Sequence, residues 1–283
     1  MKVVAFNVPQ VKKEAFRLQL DQGRIFYDQL HHHPEIQIML VQSGEGTLIA
    51  GDYVGRFTAH DLYVIGSNQA HVFRSDIPDS ASPRLLRTAK AISIYFNEHY
   101  LGDSFWQLEE MKGLKKIFSR SARGLKILGK TKTEATDLIL QLKNASGADK
   151  LILFFSILKK LNSARNVKVL SIVPGEFKKE EGKRMNAILQ FTFRESHRNI
   201  YLHEVAAVAS LTVEAFCRYF KQHTQKTYSS FLNEVRVSNA CRLLINKDIT
   251  VRDVCYQAGF SNVSNFNRIF KKITGVRPSA YVP

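Results

Sequence analysis

The chain has 283 residues, 45% of them hydrophobic, enough to bury more than one sizeable core. Its formal net charge of +16 is unevenly placed: residues 1–83 carry −2, 84–183 carry +10 and 184–283 carry +8, so only the later parts suit a polyanionic partner. No apolar run approaches the roughly 18 residues that cross a bilayer, which excludes a helical membrane protein.

The N-terminus, MKVVAFNVPQVKK, lacks the long apolar region and small-residue cleavage site of a signal peptide, and a soluble, cytoplasmic protein is expected. The cysteines, Cys217, Cys241 and Cys255, have no metal-binding spacing and read as reduced thiols. Residues 22–96 read as strands. The segments GRIFYDQL, EIQIMLVQS, GTLIAG, DYVGRF, DLYVIG and AKAISIYFN are short and rich in Ile, Val, Tyr and Phe, with Gly44-Glu45-Gly46 and Gly51-Asp52 as turns. Such closely spaced strands predict a small antiparallel barrel or sandwich. With His33-Pro34-Glu35, the glycine turn, Asp61-Leu62 and Gly66 through His71, the segment resembles a cupin, and a barrel of that size holds one small ligand. His31, His33, Glu35 and His71 are the candidate effector-binding residues. Their types suit Fe, Mn or Zn, but Glu35 follows His33 by only two positions, closer than the cupin pattern wants. The expectation is a polar effector pocket with no metal and no cofactor.

Between residues 104 and 164 the period changes. FWQLEEMKGLKKIF, TEATDLILQLKN and GADKLILFFSILKKLN carry apolar residues three and four apart and predict three helices. Residues 165–183, with Pro174-Gly175 and KKEEGKR, read as a linker.

The most specific stretch is Val251 to Tyr281. Val251, Val254 and Ala258 recur at helical spacing, Thr250 with Asp253 resembles a capping box, and Gly259 suits a left-handed turn. A second helix follows, capped by Ser261 or Asn262, with Val263, Phe266, Phe270 and Ile273 along one stripe and a donor-rich opposite face. Two short helices about a tight turn, the second amphipathic, predict a helix-turn-helix. A shift of fifty residues lays Val205 on Cys255, Phe216 on Phe266, Arg218 on Arg268, Phe220 on Phe270, Lys221 on Lys271 and Thr224 on Thr274, which implies two copies of one module. Ser229 to Asn246 reads as the helix joining them, with Phe231, Leu232, Val235, Leu243 and Leu244 inward and a length of roughly 27 Å.

Val254-Cys255, Gly259-Phe260, Ser264, Phe266, Arg268, Phe270-Lys271, Gly275, Pro278 and Tyr281 resemble the signature of AraC/XylS-type transcription regulators, strongly over residues 184–283. Cys255 stands where Ala is usual, Gln225 where the first module usually has Gly, and Val282 where a basic residue often follows the Tyr. The resemblance implies an α+β multidomain chain. Residues 1–103 would form a cupin-like effector-binding domain, 104–164 a helical coupling and dimerisation segment with Leu151, Phe154, Phe155 and Leu158 as its seam, 165–183 a linker, and 184–283 an all-α DNA-binding domain. It further implies double-stranded DNA, a small-molecule effector, RNA polymerase and a second copy of the chain as partners, and activation as the commoner outcome. Matched to the family's recognition helices, Glu214, Cys217, Arg218, Ser264, Asn265, Asn267 and Arg268 would meet base edges, while Lys221, Lys271 and Lys272 would meet phosphates. The alternatives are a metal-dependent cupin enzyme with an accessory DNA-binding tail and a non-specific basic architectural protein. No Ser/His/Asp order, phosphate-cradling glycine loop or HExxH motif favours an enzyme.

Overall fold

The computed structural model describes residues 4–5, 14–76, 89–102, 104–171, 179–244 and 248–281. They fall into two compact units, one made mainly of residues 4–171 and one mainly of residues 179–281. In the first unit, β1 (Val4–Ala5), β3 (His31–His32), β8 (His71–Ser75), β5 (Gly46–Ala50) and β6 (Tyr53–Phe57) form a five-stranded sheet in that order. The second sheet runs β11 (Val167–Val169), β10 (Leu125–Ile127), β7 (Leu62–Ile65), β4 (Ile36–Ser43), β9 (Ala89–Phe96) and β2 (Arg17–Gly23).

Strand β4 shows why the unit is layered. Successive side chains alternate between faces. Ile36, Ile38 and Leu40 join a core with Phe154, Ile157, Leu158 and Leu161, whereas Met39 and Val41 join Leu48, Ala50, Phe57 and Phe73 of the other sheet. A strand buried on both faces reads as a nearly continuous apolar run, as IQIMLV does. Helices α1 (Glu109–Ser121), α2 (Gly129–Asn144) and α3 (Gly147–Asn162) supply the covering layer, matching the three expected helices.

Several expectations are corrected. The strands make two sheets, and the ring of pairing that would close a barrel is not seen among the described residues. GRIFYDQL contributes only Gly23 to a strand; the strand precedes it, at Arg17–Gly23, where polar residues on a largely exposed edge weaken the alternation. Strand β8 and the three-residue β10 and β11 were too short or too polar to declare themselves. Within the segment read as a linker, Val167–Val169 pairs with β10, and Pro174-Gly175 lies outside the described residues.

The second unit is helical: α4 (Lys179–Glu195), α5 (Leu202–Val208), α6 (Val213–Thr224), α7 (Tyr228–Leu243), α8 (Val251–Gln257) and α9 (Val263–Thr274). Side-chain oxygens of Thr212, Thr227, Thr250 and Asn262 accept the backbone N–H three residues on at 3.3, 3.2, 3.1 and 2.9 Å, satisfying donors that a helix start leaves open. The joining helix α7 has 16 residues, about 24 Å at 1.5 Å per residue. Asn246, the expected end, lies outside the described residues. Burial from Tyr228 to Cys241 runs around the whole helix, so it is the central rod of its unit.

The duplication is real but its register changes. Thr224 and Thr274 both bond back to Phe220 and Phe270 carbonyls, at 2.7 and 2.9 Å, and Gln225 and Gly275 both end their helices with left-handed backbone. That is a shift of fifty. In the preceding helices the equivalent bonds are Leu211 N–H to Ala206 O and Phe260 N–H to Cys255 O, a shift of forty-nine. Val205 therefore corresponds to Val254, not Cys255, and Ala206 to Cys255, because the second module's turn is one residue longer. Both Ala206 and Cys255 are small and buried, as the site requires.

Candidate nucleic-acid interface and internal pocket

Amphipathic helices α6 and α9 separate core from surface cleanly. On α6, Phe216, Phe220 and Thr224 are buried while Glu214, Cys217, Arg218 and Lys221 are exposed. On α9, Phe266, Ile269 and Phe270 are buried while Ser264, Asn265, Asn267, Arg268, Lys271 and Lys272 are exposed. One stripe residue is corrected: Ile269 points inward and Ile273 is 41% exposed, since a helix face drifts off a strict three-and-four step by the last turn. Pro278 is buried and starts a closing turn, and Tyr281 packs edge-on against Phe270 with ring centres 5.5 Å apart.

Arg268 Nη2 donates to Asn265 Oδ1 at 2.8 Å, which holds both side chains on the outer face as one donor-rich unit. Glu214 is bonded by its own backbone N–H and by Thr212, with Arg218 one turn on. Together these hold its carboxyl below the usual range, so it faces outward as an acceptor. Arg277 was missed by sequence reasoning. It is exposed beside Asn267, Arg268 and Lys271 around one hollow, and its place just before Pro278, outside any helix, hid it from a periodicity argument.

The other candidate residues lie in the first unit. A cavity of about 180 Å³ is lined by Asp21, His31, Gln37, His71, Phe73 and Tyr95 among others. The antiparallel register of β3 and β8 sets His31 opposite His71, and His33 falls two residues after His31 on the same side. Ring centres of His31 and His71 are 4.3 Å apart, and those of His33 and His71 5.1 Å. All three histidines and Glu35 are buried. Tyr100 O–H donates to Glu35 Oε1 at 2.8 Å, and Glu35 Oε2 lies 3.6 Å from His33 Nδ1. The structure thus brings the four expected residues together, although only His31 and His71 line the cavity itself. Burial pulls the His31 imidazole down to about 4 and lowers those of His33 and His71, so the rings are neutral at pH 7. Gln37 and Tyr95 were missed; a glutamine inside the apolar run of β4 was the available signal.

Comparison with known proteins places the helical unit. A family model described as a helix-turn-helix domain matches residues 205–282. The activator RhaS of Klebsiella pneumoniae is 33% identical over 89 residues, 31% of this chain and 32% of that protein, so the match spans about a third of the relative's length. The probable transcriptional regulator LumQ of Photobacterium leiognathi is 23% identical over 96% of this chain and 98% of its own. Among solved structures, ToxT from Vibrio cholerae is 16% identical, with 95% of this chain and 98% of that chain covered and a TM-score of 0.36. No helix among the described residues is long and apolar enough to cross a membrane. With their paired, capped modules and matched outer faces, residues 205–282 form a helix-turn-helix domain similar to a segment of the activator RhaS.

Proposed function

We propose that the chain is a sequence-specific, DNA-binding transcription regulator whose N-terminal unit takes a small molecule, and that it acts as an activator. The observation that carries this reading is the pair of amphipathic helices, α6 and α9, with equivalent Phe residues buried and equivalent Arg and Lys residues exposed. Positive charge alone would bind DNA without such a frame. Arg218, Asn265, Asn267 and Arg268 suit bidentate contacts with base edges, Glu214 suits a cytosine amino group, and Ser264 and Cys217 fill the same outward row. Lys221, Lys271 and Lys272 position the chain through phosphates, and Arg277 joins them. The cavity beside His31, Gln37, His71 and Tyr95 supports the effector reading, since it offers a few convergent polar groups in apolar walls. RhaS is named an activator, which favours activation here by analogy. A homodimer and contact with RNA polymerase complete the reading, resting on the family resemblance.

The test is selection from a randomised duplex pool at moderate salt, with Arg268→Ala alongside. Two conserved blocks about one helical turn apart are expected, with Arg268→Ala losing roughly 1–3 kcal/mol and relaxing preference within one block. Weak, sequence-blind binding abolished by salt would overturn the regulator reading.

A further inference from the structure

Three pieces of the helical unit meet at one buried side chain. Arg236, on α7, is 9% exposed, and its guanidinium donates from Nε to Ser196 O at 2.9 Å and from Nη2 to Arg198 O at 2.7 Å. Both carbonyls lie just past the end of α4, in its connection to α5, where an α-helix presents its negative end. Arg198 ties the same connection to the first helix-turn-helix module, since its Nη2 donates to Glu204 in the first turn of α5 at 2.8 Å. From the second module, the turn between α8 and α9 packs on the same spot. A Cβ at Gly259 would stand 2.0 Å from Ser196 O and 2.9 Å from Arg236 Nε, and the Phe260 ring centre lies 5.7 Å from the guanidinium carbon. Asn239, three residues on along α7, donates to Ser196 Oγ at 3.1 Å. A guanidinium is costly to bury, and the hydrogen bonds of Arg236 go to carbonyls rather than to a carboxylate. An apolar side chain would fill the space on α7 at lower cost, but it could not bridge two carbonyls at once.

We propose that Arg236, assisted by Asn239, is the positioning residue that locks the two helix-turn-helix modules at one separation and angle, so that the chain accepts two DNA blocks at a single spacing. The inference rests on the regulator reading and adds to it a source of specificity that touches no base. In sequence α7 and its two flanking connections join the modules, and those connections alone would let each module tilt. Arg236 closes the frame across the middle, where the first module's connection, α7 and the second module's turn meet. Its planar fork fixes direction as well as distance, which a point charge does not. The consequence for DNA is geometric. One base pair more or less between the blocks moves the second block about 3.4 Å along the duplex and about 34° around it. A rigid pair of recognition helices cannot follow that shift and loses contacts in one block. A pair free to tilt follows part of it.

The full chain is measured by fluorescence anisotropy on duplexes carrying both selected blocks, at the selected separation and at one base pair more and one fewer, and on a duplex with one block scrambled. The unsubstituted chain should lose about tenfold or more on either altered separation, the scale of losing base contacts in one block. Arg236→Lys keeps the charge without the fork, and Arg236→Met keeps the bulk without the charge. Each should cut that penalty to about threefold or less, with the one-block duplex bound within about twofold of the unsubstituted chain. A residue serving stability alone would weaken all four duplexes together. A second measurement needs no DNA. Spin labels on Cys217 of α6 and on an Asn267→Cys substitution of α9, both exposed, report the distance between the recognition helices, while Cys241 and Cys255 are buried. One narrow distance is expected, broadened by Arg236→Lys. If neither Arg236 variant folds by circular dichroism, Asn239→Ala, which removes only the bond to Ser196 Oγ, must broaden it. An unaltered spacing penalty in a folded Arg236 variant, uniform weakening of all four duplexes, or a distance that Asn239→Ala leaves as narrow as before overturns the proposal. A chain that selects no sequence sinks the regulator reading, and the label distances then decide the frame by themselves.

Discussion

Among the described residues four non-glycine ones have positive φ, and two of them sit where the second module uses glycine. Ser210, φ 53°, matches Gly259, φ 93°, and Gln225, φ 55°, matches Gly275, φ 85°. Left-handed backbone crowds Cβ, so the first module holds two strained turns that the second relieves. Gln225→Gly should therefore raise stability by up to about 1 kcal/mol in denaturant melts, the relieved strain outweighing the extra conformational entropy that glycine gives the unfolded chain. Gly259→Ala would do the reverse, because a Cβ there would meet Ser196 O at 2.0 Å. A second residue-level expectation concerns acid. Arg194 and then Arg198 hold Glu195 down to about 2, and Arg198 is the main cause of the lowered Glu204. Carboxyls with depressed native values stabilise fully above the ordinary value of 4.5, and that contribution is lost as pH falls toward 2. Thermal melts between pH 5 and 2.5 should show Arg198→Met flattening this slope, and the effect should shrink in high salt because the groups are only partly buried and solvent reaches them.

At the scale of elements, α6 and α9 each hang on paired phenylalanines. Phe216, Phe220, Tyr228 and Phe231 interlock with ring centres 5.3 to 6.4 Å apart, whereas Phe266 and Phe270 pack with Phe260, Cys255 and Val254 in a separate cluster. Phe266→Ala should cost about 3–5 kcal/mol by leaving a cavity no neighbour fills. Amide exchange should then show α8 and α9 opening well before α6, since the first module keeps its own aromatic core. These elements were legible because helix caps and apolar spacing are local: Thr250, Asn262 and the Phe pairs announce themselves. Strands β8 and β10 were not, since their formation depends on distant partners, His31 and Ala50 for His71, Tyr63 for Lys126. The three-histidine cluster was half visible for the same reason: its residues were named, but only cross-strand register sets His31 against His71.

For the whole molecule the governing quantity is charge. A net +16 on 283 residues would by itself produce weak, salt-sensitive attachment to any duplex, an electrostatic background on which sequence reading is superimposed. The two contributions separate through salt. Lys221, Lys271 and Lys272 are exposed, on the helices that also carry Arg218 and Arg268, and in the proposed reading they meet phosphates, which are common to every sequence. Replacing all three with Ala should lower the slope of log K against log salt by about 3, roughly one per phosphate contact, while leaving the selected sequence unchanged. Arg268→Ala should behave in the opposite way, changing the selected sequence more than the slope. Fluorescence anisotropy with one selected and one scrambled duplex between 50 and 200 mM salt checks both, with these concentrations chosen because phosphate-rich interfaces lose about 10³–10⁵ in affinity across them. If the triple variant alters sequence preference and Arg268→Ala alters only slope, then the outward faces of α6 and α9 have been assigned the wrong way round, and the lysines, not Arg268, read the bases.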